Sequence, residues 1–528
     1  MTVSTLGRRA VRGATALRGG RFWRPTPFFV FGGLFWLVMT LAYWRVPMCC
    51  DFGQHAAVVE RLKANLLHPR HPMADLPGAG SPYYSPYAVA QGVFARLTGL
   101  AGWEVVKLAG PLNLLVLLTG LNRFVRVLTS RQWAPVLALF AMTLLWGTRT
   151  AWWSGYLGLL SMTGNLGYPS TFAIGLTFWA WAWAYRLGGR GPYASYAGLG
   201  ILVAAILLIH PITSVAALIG VTAIGAARIG TARGAGLYRS AAPPRGATSH
   251  DEPAHKQLTR WATALLATAT VTLIWPYYDV LTLVGDTSVD AIHHQLYTDL
   301  PQRFWLAFLG LPALAHRFRR NPRDPLALIF AADVLVIAYG WATGHYTYGR
   351  IMGLALVPPQ FSLAIALAAP RPWTWPRRVL GAAAAAGAVV GFVAVQGGAV
   401  VPRVLDQPPM WPTYAWAAQH VPPGDVVLTN GYRPTRSLPG YGPNLVAPAW
   451  PDPSLDERER NRRLTAVRAY LSPGSTPSER AAIAHRYDVH WLLLDKEQKL
   501  PPEAVVVAWS PRTGEVLARV NGGSPRTR

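Results

Sequence analysis

Long apolar runs separated by polar or basic connectors cover the chain as far as about residue 400. Many of them approach about 20 residues, the length at which a helix crosses a bilayer. We count about eleven, near residues 28–45, 105–122, 133–148, 170–186, 194–209, 211–228, 261–279, 304–316, 325–342, 350–369 and 379–401. The pattern predicts an α-helical polytopic membrane protein, in which the stretch 87–101 is an interfacial helix or part of a longer second span.

The pattern changes after residue 401, where a polar, Pro-rich segment with nearly balanced charge begins. Such a change marks a domain boundary, so we divide the chain into a transmembrane domain, 1–401, and a C-terminal domain, 402–528. Within the second domain, helices are predicted at 411–420, 456–471 and 477–486, and strands at 426–429, 491–495, 504–509 and 516–520. We expect a small α/β domain that packs on the membrane domain or binds an acceptor, with an independent activity as the alternative.

The composition and charge agree with a chain that lipid covers. Of the 528 residues 52% are hydrophobic and only 14% charged, whereas about a quarter of a typical soluble chain is charged. A net charge of +25 would suggest nucleic acid on a soluble domain, but here the basic residues fall between apolar runs, as in cytoplasmic membrane loops. We therefore predict no nucleic-acid partner. The main clusters are Arg8, Arg9, Arg12, Arg18, Arg21 and Arg24, then Arg123, Arg126 and Arg131, then Arg317, Arg319, Arg320 and Arg323, then Arg377 and Arg378.

The charge of the connectors also predicts the orientation. Connectors 185–191 and 227–260 are basic and are predicted inside, the second as a flexible loop. Four connectors with more Asp and fewer Arg are predicted outside, namely 46–86, 149–169, 280–303 and 343–349. This separation favours an odd number of crossings of the plasma membrane, with the N-terminus cytoplasmic and the C-terminal domain extracytoplasmic. The first run lacks a clear cleavage site and is long for a signal peptide, so we interpret it as a retained span.

The two cysteines, Cys49 and Cys50, are adjacent in the sequence. This spacing excludes both a disulfide-rich scaffold and a spaced zinc motif. We interpret them as small apolar residues at a membrane boundary.

The first outer connector carries the best candidate for chemistry. Asp51 and His55 lie four residues apart, so they can share one face of an amphipathic helix at the membrane surface. A partly desolvated carboxylate can act as a general base on a sugar hydroxyl, while a neighbouring His holds it in place. The alternative is that Asp51 only caps this helix.

Aromatic and basic residues in the outer connectors are further candidates for substrate binding. Tyr83, Tyr84 and Tyr87 belong to a Pro-rich segment that enters the membrane, where they can stack on a sugar or anchor the interface. The same two interpretations apply to Arg149, Trp152 and Trp153. The remaining candidates are His210 at a turn between two runs, and the adjacent His293 and His294.

We do not predict a metal site or another cofactor. His293 and His294 follow Asp286 and Asp290, but adjacent His residues rarely bind one metal and these acids are loosely spaced. A divalent metal is therefore possible but not expected to be required.

Several of these features together resemble the GT-C membrane glycosyltransferases. They are Asp51 after the first span, the amphipathic helix that follows it, the Ser-Pro-Tyr-Tyr-Ser-Pro-Tyr segment and the late outer domain. The resemblance implies an acidic residue of the first outer loop as base and a polyprenyl-phosphate sugar as donor. It departs from the family pattern in one place, because Phe52 follows Asp51 where a second acidic residue is usual.

An outward-facing transferase needs a lipid-linked donor, because nucleotide sugars do not cross the bilayer unaided. The leaving phosphate must then be met by cations or hydrogen-bond donors. Arg350, His345 and Tyr348 offer such groups at a membrane boundary. The alternative for Arg350 is a guanidinium that snorkels beside an aromatic belt.

The resulting hypothesis is an inverting glycosyltransferase of the cell envelope, with Asp51 as general base and Arg350 at the donor phosphate. Its acceptor is an envelope glycan, a glycolipid or an exported protein. Two alternatives are a transporter or flippase of a lipid-linked envelope precursor and a non-catalytic scaffold. The sequence shows no convincing internal repeat, and nearly all ionisable residues fall at the ends of predicted spans, which disfavours the transporter; Asp333 and Lys107 are the exceptions.

Overall fold

A computed structural model describes residues 25–76, 80–229, 254–370, 372, 374–402, 404–405, 410–452 and 455–520. The six N-terminal arginines at positions 8–24 and most of the connector 227–260 lie outside these residues.

Each of the predicted apolar runs contains helix. The α-helices are α1 Pro27–Arg45, α2 Phe52–Ala64, α3 Pro86–Thr98, α4 Gly102–Leu128, α5 Ala134–Leu144, α6 Leu159–Asn165, α7 Pro169–Leu187, α8 Tyr193–Ile209, α9 Pro211–Ile229, α10 Ala254–Leu273, α11 Asp290–His293, α12 Leu300–Phe304, α13 Leu311–Arg320, α14 Pro325–Thr343, α15 Met352–Ala355, α16 Val357–Leu367, α17 Trp375–Ala394, α18 Ala415–Ala418, α19 Pro434–Ser437, α20 Glu457–Leu471 and α21 Pro477–Tyr487. Short 3₁₀ helices cover Val280–Leu283, His294–Tyr297, Ala307–Gly310, Tyr346–Ile351, Gln396–Ala399 and Leu438–Tyr441.

The helical part is a multi-pass membrane protein, as the apolar pattern predicts. Within the described part of the chain, six helical segments have at least 18 residues and are apolar enough to cross a membrane. The other predicted runs form shorter or less apolar helices, so these criteria support fewer crossings than the predicted eleven. The six segments are Pro27–Arg45, Gly102–Leu128, Pro211–Arg228, Pro325–Thr343, Tyr346–Leu367 and Trp375–Ala394.

The connectors that the charge pattern groups together also meet in space. On the side predicted inside, the guanidinium of Arg228 lies 4.1 Å from the ring centre of Tyr185, and Arg260 Nη1 donates to the Gly189 carbonyl at 2.9 Å. At the other end of the bundle, residues of all four connectors predicted outside line one cavity together with the C-terminal domain. Which end faces the cytoplasm stays a prediction.

The C-terminal domain contains a five-stranded mixed sheet. Its strands are β1 Val426–Leu428, β2 Asn444–Leu445, β3 Val489–Leu494, β4 Ala504–Trp509 and β5 Val516–Val520. In the spatial order β2-β1-β3-β5-β4, β1 is parallel to β2 and β3, and β5 is antiparallel to β3 and β4. Helices α20 and α21 pack on one face, through Val467, Tyr470 and Tyr487. The four predicted strands are present; β2 has two residues, too few for a pattern in the sequence.

The connector 46–86 docks this domain onto the membrane helices. Arg61 of α2 is buried and donates to the carbonyls of Gly442 and Pro443, both at 3.0 Å, and to Asn444 Oδ1. Residues 73–74 extend the edge of the sheet, because the Leu445 amide donates to the Met73 carbonyl at 2.8 Å. The domain is therefore held against the first connector, as expected for a domain that packs on the membrane domain.

Two element boundaries differ from the prediction. The helix predicted at 411–420 is shorter in the structure and covers Ala415–Ala418. Pro412 and Pro422 flank this segment, and proline is disfavoured in the interior of a helix because it has no backbone N–H to donate. Conversely, α10 begins at Ala254, inside the predicted loop 227–260. Its polar first turns pack on connector 185–191, where Gln257 is buried beside Gly189.

Candidate active site

A cavity of about 650 Å³ lies where the connectors predicted outside meet the C-terminal domain. Its volume is within the range of about 300–1,000 Å³ that is usual for small-molecule sites. Of the residues predicted from the sequence to be catalytic, donor-binding or substrate-binding, eight line it, namely Asp51, His55, Tyr83, Trp152, Trp153, His210, His293 and Arg350.

Asp51 stands at the start of α2 without capping it. Its residue occupies the N-cap position, but its carboxylate accepts no capping hydrogen bond, in contrast to the alternative considered above. The hydroxyl of Tyr168 donates to the Cys49 carbonyl at 3.2 Å and accepts from the Asp51 amide at 3.1 Å. The backbone is thus held while the half-buried carboxylate stays available in the cavity.

The charge on Asp51 is a balance of burial and nearby cations. Burial raises the pKa of the Asp51 carboxyl above its usual range, whereas the nearby Arg350 and Arg436 lower it. The net pKa is raised, so the carboxylate is a stronger base than an exposed aspartate.

His55 lines the same cavity, but among the described residues its ring makes no hydrogen bond to Asp51. Its ring packs edge-on against Tyr168, with 4.9 Å between ring centres, and lies 6.0 Å from Tyr83. Burial lowers the pKa of His55 to about 4. The imidazole is therefore neutral at pH 7 and shapes the cavity beside the carboxylate.

A polar relay holds Arg350. Its Nη1 donates to His293 Nε2 at 3.1 Å and its Nη2 donates to the Ser154 carbonyl at 3.0 Å. The guanidinium lies 5.4 Å from the ring centre of Trp153. These contacts with His293, the Ser154 carbonyl and Trp153 fix the position of Arg350 at the cavity wall.

The relay defines the tautomer of His293. A guanidinium can only donate, so Nε2 accepts and the proton is on Nδ1. Nδ1 then donates to Thr347 Oγ1 at 2.9 Å, and Thr347 Oγ1 donates to Asp290 Oδ1 at 2.6 Å. Burial first, and Arg350 second, lower the pKa of His293 to about 3. It stays neutral and supports Arg350 as an acceptor.

The C-terminal domain contributes a second guanidinium that the sequence pattern did not single out. Arg436 of α19 is buried and lines the cavity. Its guanidinium carbon lies 3.9 Å from the ring centre of Tyr432 and 4.2 Å from that of Trp450. Nη1 donates to the Tyr432 carbonyl at 2.9 Å. Two aromatic rings therefore pack against the guanidinium, while Nη1 has a backbone partner.

The approach of α19 to α2 depends on two glycines. A Cβ added at Gly53 would overlap the carbonyl oxygen of Arg436, and a Cβ added at Gly440 would lie 2.8 Å from the Gly53 carbonyl oxygen. This close contact brings Arg436 near Asp51. Gly53, within the otherwise amphipathic helix α2, was the only local feature of the sequence that indicated the close approach of another backbone.

A second cavity of about 350 Å³ adjoins the first and has a mostly apolar lining. The two cavities share Cys50, Thr150 and Trp152. The second cavity extends along the end of α1 to Met410 and Trp411 of the C-terminal domain.

Six predicted site residues lie away from the cavity lining. Tyr84 and Tyr87 point into the protein interior, where Tyr84 donates to the Arg70 carbonyl and Tyr87 shares a hydrogen bond with Asn113. Arg149 is exposed and pairs with Asp299 at 3.0 Å. The others engage nearby groups: His294 packs on Tyr346, His345 lies 3.4 Å from Asp290, and Tyr348 packs on Tyr339.

His210 has a partly structural role at the start of α9. Its Nδ1 accepts from the Thr213 amide at 3.2 Å, which satisfies the first turn of the helix and leaves Nε2 as the free ring nitrogen. Among the described residues, no group of three or more His, Cys, Asp or Glu side chains is arranged to hold a metal ion. The metal-independent chemistry expected above stays a prediction.

Comparison with solved structures identifies the fold. The chain superimposes on the arabinofuranosyltransferase AftD from Mycobacteria with a TM-score of 0.56 and 15% identity, over 94% of this chain and 40% of AftD. A mutant of AftD gives a TM-score of 0.54 and 13% identity, over 94% and 41% of the two chains. The chain therefore spans about two-fifths of the length of these relatives. ArnT from Cupriavidus metallidurans is similar over 93% of this chain and 97% of its own, with 14% identity and a TM-score of 0.49.

The two AftD structures give the fold class of the chain. The chain has the fold of the GT-C membrane glycosyltransferases, as the resemblance in the sequence predicts. No protein-family model matches the chain, and no curated protein matches its sequence.

Proposed function

We propose that the protein is a membrane glycosyltransferase that moves a sugar from a polyprenyl-phosphate donor to a cell-envelope acceptor on the outer side of the membrane. Asp51 is the general base and the anomeric configuration is inverted. The observation that carries the proposal is the position of the Asp51 side chain. Its half-buried carboxylate makes no capping hydrogen bond to α2 and lines a cavity of about 650 Å³, and Arg350 and Arg436 are close enough to lower its pKa.

The charges of the cavity suit this reaction. Asp51 takes the proton of the acceptor hydroxyl, whose oxygen bonds to the anomeric carbon as the bond from that carbon to the phosphate oxygen breaks. The carboxylate becomes neutral while the phosphate gains one negative charge. Negative charge thus moves toward the leaving group, where prepositioned guanidinium groups stabilise it most effectively in a site shielded from water.

The two arginines divide this work. Arg350 is held by His293 and the Ser154 carbonyl, and Arg436 is held between two aromatic rings. Fixed guanidinium groups bind phosphate without the entropy cost of ordering a flexible side chain. We propose that both contact the donor phosphate, with Arg350 in the role expected from the sequence.

The sugar-binding surface combines aromatic faces with polar edges. Tyr83, Trp152 and Trp153 line the cavity beside Asp51, as the predicted stacking role requires. Mannose and arabinose are both plausible sugars for an envelope donor. The structures with the same fold include an arabinofuranosyltransferase, which favours a pentofuranosyl donor. The acceptor class remains an envelope glycan, a glycolipid or an exported protein.

The experiment that tests this function is transfer by the purified full chain in proteoliposomes. Radiolabelled polyprenyl-phosphate arabinose and mannose are offered separately with envelope glycan and lipid extracts. We expect label to move from one donor to an acceptor, and the new linkage to show the anomeric configuration opposite to that of the donor. Retention of configuration would contradict the single displacement. The absence of transfer from either donor by folded protein would contradict the proposed donor class.

One observation favours a transporter or flippase as a second candidate. Asp333 lies within the apolar helix α14, is fully buried, and neither carboxylate oxygen has a hydrogen-bond partner among the described residues. Buried ionisable groups in membrane spans commonly mark transport pathways. The other predicted sign of a transporter has a structural role, because Lys107 donates to the Tyr43, Trp44 and Val46 carbonyls at the end of α1. Flipping of a labelled polyprenyl-phosphate lipid that Asp333→Asn abolishes and Asp51→Asn leaves intact would favour this candidate.

A further inference from the structure

The paired thiols of Cys49 and Cys50 stand directly before Asp51. Their sulfur atoms are 3.3 Å apart, and both are free thiols. Cys49 is buried, whereas Cys50 is half-buried and lines both cavities. Cys49 lines only the second cavity, so Cys50 is the thiol that a reagent in the first cavity meets.

An unusual backbone conformation brings the two sulfurs together. Side chains of neighbouring residues in extended chain point to opposite sides. Cys50 instead has a φ of 56°, in the left-handed region that residues other than glycine rarely adopt. The bridging hydroxyl of Tyr168, bonded to the Cys49 carbonyl and the Asp51 amide, holds this turn on both sides.

The surroundings assign different roles to the two thiols. The hydrogen bond with Cys49 lowers the pKa of Cys50, and the nearby Trp152 and Arg436 lower it further against the effects of burial and Asp51. The same hydrogen bond raises the pKa of Cys49. The thiolate is the nucleophile in thiol–disulfide exchange, so Cys50 reacts first and Cys49 resolves the intermediate.

We propose that Cys49 and Cys50 are a thiol–disulfide modification site that controls the position of Asp51. The thiolate of Cys50 attacks an external disulfide, which gives a mixed disulfide at Cys50 and releases one thiol. Cys49 then attacks the Cys50 sulfur, loses its proton and releases the second thiol. The protein loses two hydrogen atoms, and the external disulfide is reduced to two thiols.

We expect the bond to shift the turn that precedes Asp51. A disulfide holds its sulfurs at about 2.05 Å, so the two side chains move more than 1 Å closer than in the reduced protein. The disulfide closes a ring that includes the peptide bond between Cys49 and Cys50. Asp51 is the next residue in the chain. A misplacement of about 1 Å of a catalytic group can lower a rate by about 100-fold. This functional consequence rests on the proposed function, whereas the formation of the disulfide does not.

The test measures modification and activity on the same samples. The purified full chain is equilibrated with reduced or oxidised glutathione, and its intact mass and peptide map are recorded without reductant. The expected result is a loss of two hydrogen atoms and a peptide with a Cys49–Cys50 disulfide, reversed by dithiothreitol. Glutathione that stays on Cys50, or no change in mass in folded protein, would overturn the proposed site.

The activity of each sample tests the consequence. We expect transfer by the oxidised wild type to be about 10 to 100-fold lower than by the same protein after reduction. The Cys49→Ser/Cys50→Ser double variant is compared with itself in the two buffers and is expected to show no redox response. A disulfide with equal transfer in both states would overturn the control of Asp51. Absence of transfer in both states together with a formed disulfide would contradict the proposed function and leave the modification site established.

Discussion

At the scale of single residues, two guanidinium groups partly offset the effect of burial on the pKa of Asp51, the proposed base. Arg436 lowers the pKa of the Asp51 carboxyl, so removing its charge should raise that pKa further. The base must be deprotonated to act, and activity is therefore lost as pH falls through this pKa. We expect Arg436→Gln to move the acid limb of kcat/KM to higher pH and to raise KM for the donor.

The matched control for this change is Arg433→Gln. Arg433 is exposed in the same segment and does not line the cavity. An acid limb at the same pH in wild type and Arg436→Gln, with normal expression of both, would contradict the electrostatic role of Arg436.

His293 acts through Arg350. It accepts one hydrogen bond from the guanidinium, and hydrogen bonds to charged groups contribute about 1.5–3 kcal/mol. We expect His293→Ala to raise KM for the lipid-linked donor by about tenfold or more and to change kcat less. His485→Ala, at an exposed position of α21, is the control. A loss confined to kcat would argue for a direct role of His293 in the chemistry.

The sequence distinguished poorly among neighbouring aromatic and basic residues. Tyr83, Tyr84 and Tyr87 looked equivalent, but only Tyr83 lines the cavity. Helix α3 begins at Pro86 and turns Tyr87 toward Asn113 in the interior. Such directions depend on tertiary packing, which the spacing of residues does not contain.

At the scale of elements, the contact between α2 and α19 joins the base to the C-terminal domain. Gly53→Ala would place a methyl group against the Arg436 carbonyl, and overpacking of this kind typically costs about 1–3 kcal/mol. We expect a lower thermal unfolding midpoint and reduced transfer, because α19 must move away from Asp51.

Gly33→Ala is the control for this substitution. It also lies within a helix, but an added Cβ there meets no atom within 4 Å. We expect an effect within about 0.5 kcal/mol. Equal behaviour of the two variants would show that the close approach of α19 is not needed.

Elements were predictable where one physical rule dominates. The requirement to pair backbone groups in lipid makes apolar runs helical, and short runs rich in Val, Leu and Trp predicted β1, β3, β4 and β5. Arg436 and Trp450 were not predictable as site residues, because more than 380 positions separate Arg436 from Asp51 and only the folded chain brings them together.

At the scale of the whole molecule, all the elements that line the cavity should face the same side of the membrane. The connectors predicted outside and the C-terminal domain share one end of the bundle, and the basic connectors lie elsewhere. By the positive-inside rule the cavity end should face away from the cytoplasm. We expect alkaline phosphatase fused after residue 520 to be active in bacterial cells.

A green fluorescent protein fused at the same position supplies the opposite readout. We expect this fusion not to fluoresce, because green fluorescent protein fused to a membrane protein in this way fluoresces only when it folds in the cytoplasm. A bright fusion together with inactive phosphatase would place the C-terminal domain inside and would contradict the need for a lipid-linked donor.

The proposed role of Asp51 as the base of a glycosyl transfer is tested most directly by comparing wild type with Asp51→Asn. Asp299→Asn is the matched control, since Asp299 pairs with exposed Arg149 and lies outside the cavity lining. With radiolabelled polyprenyl-phosphate arabinose and an envelope acceptor, we predict transfer by wild type and Asp299→Asn. Asp51→Asn should lose at least about 100-fold in rate, as expected for loss of general-base catalysis, at unchanged expression and thermal midpoint. Transfer by Asp51→Asn at the wild-type rate would contradict the assignment.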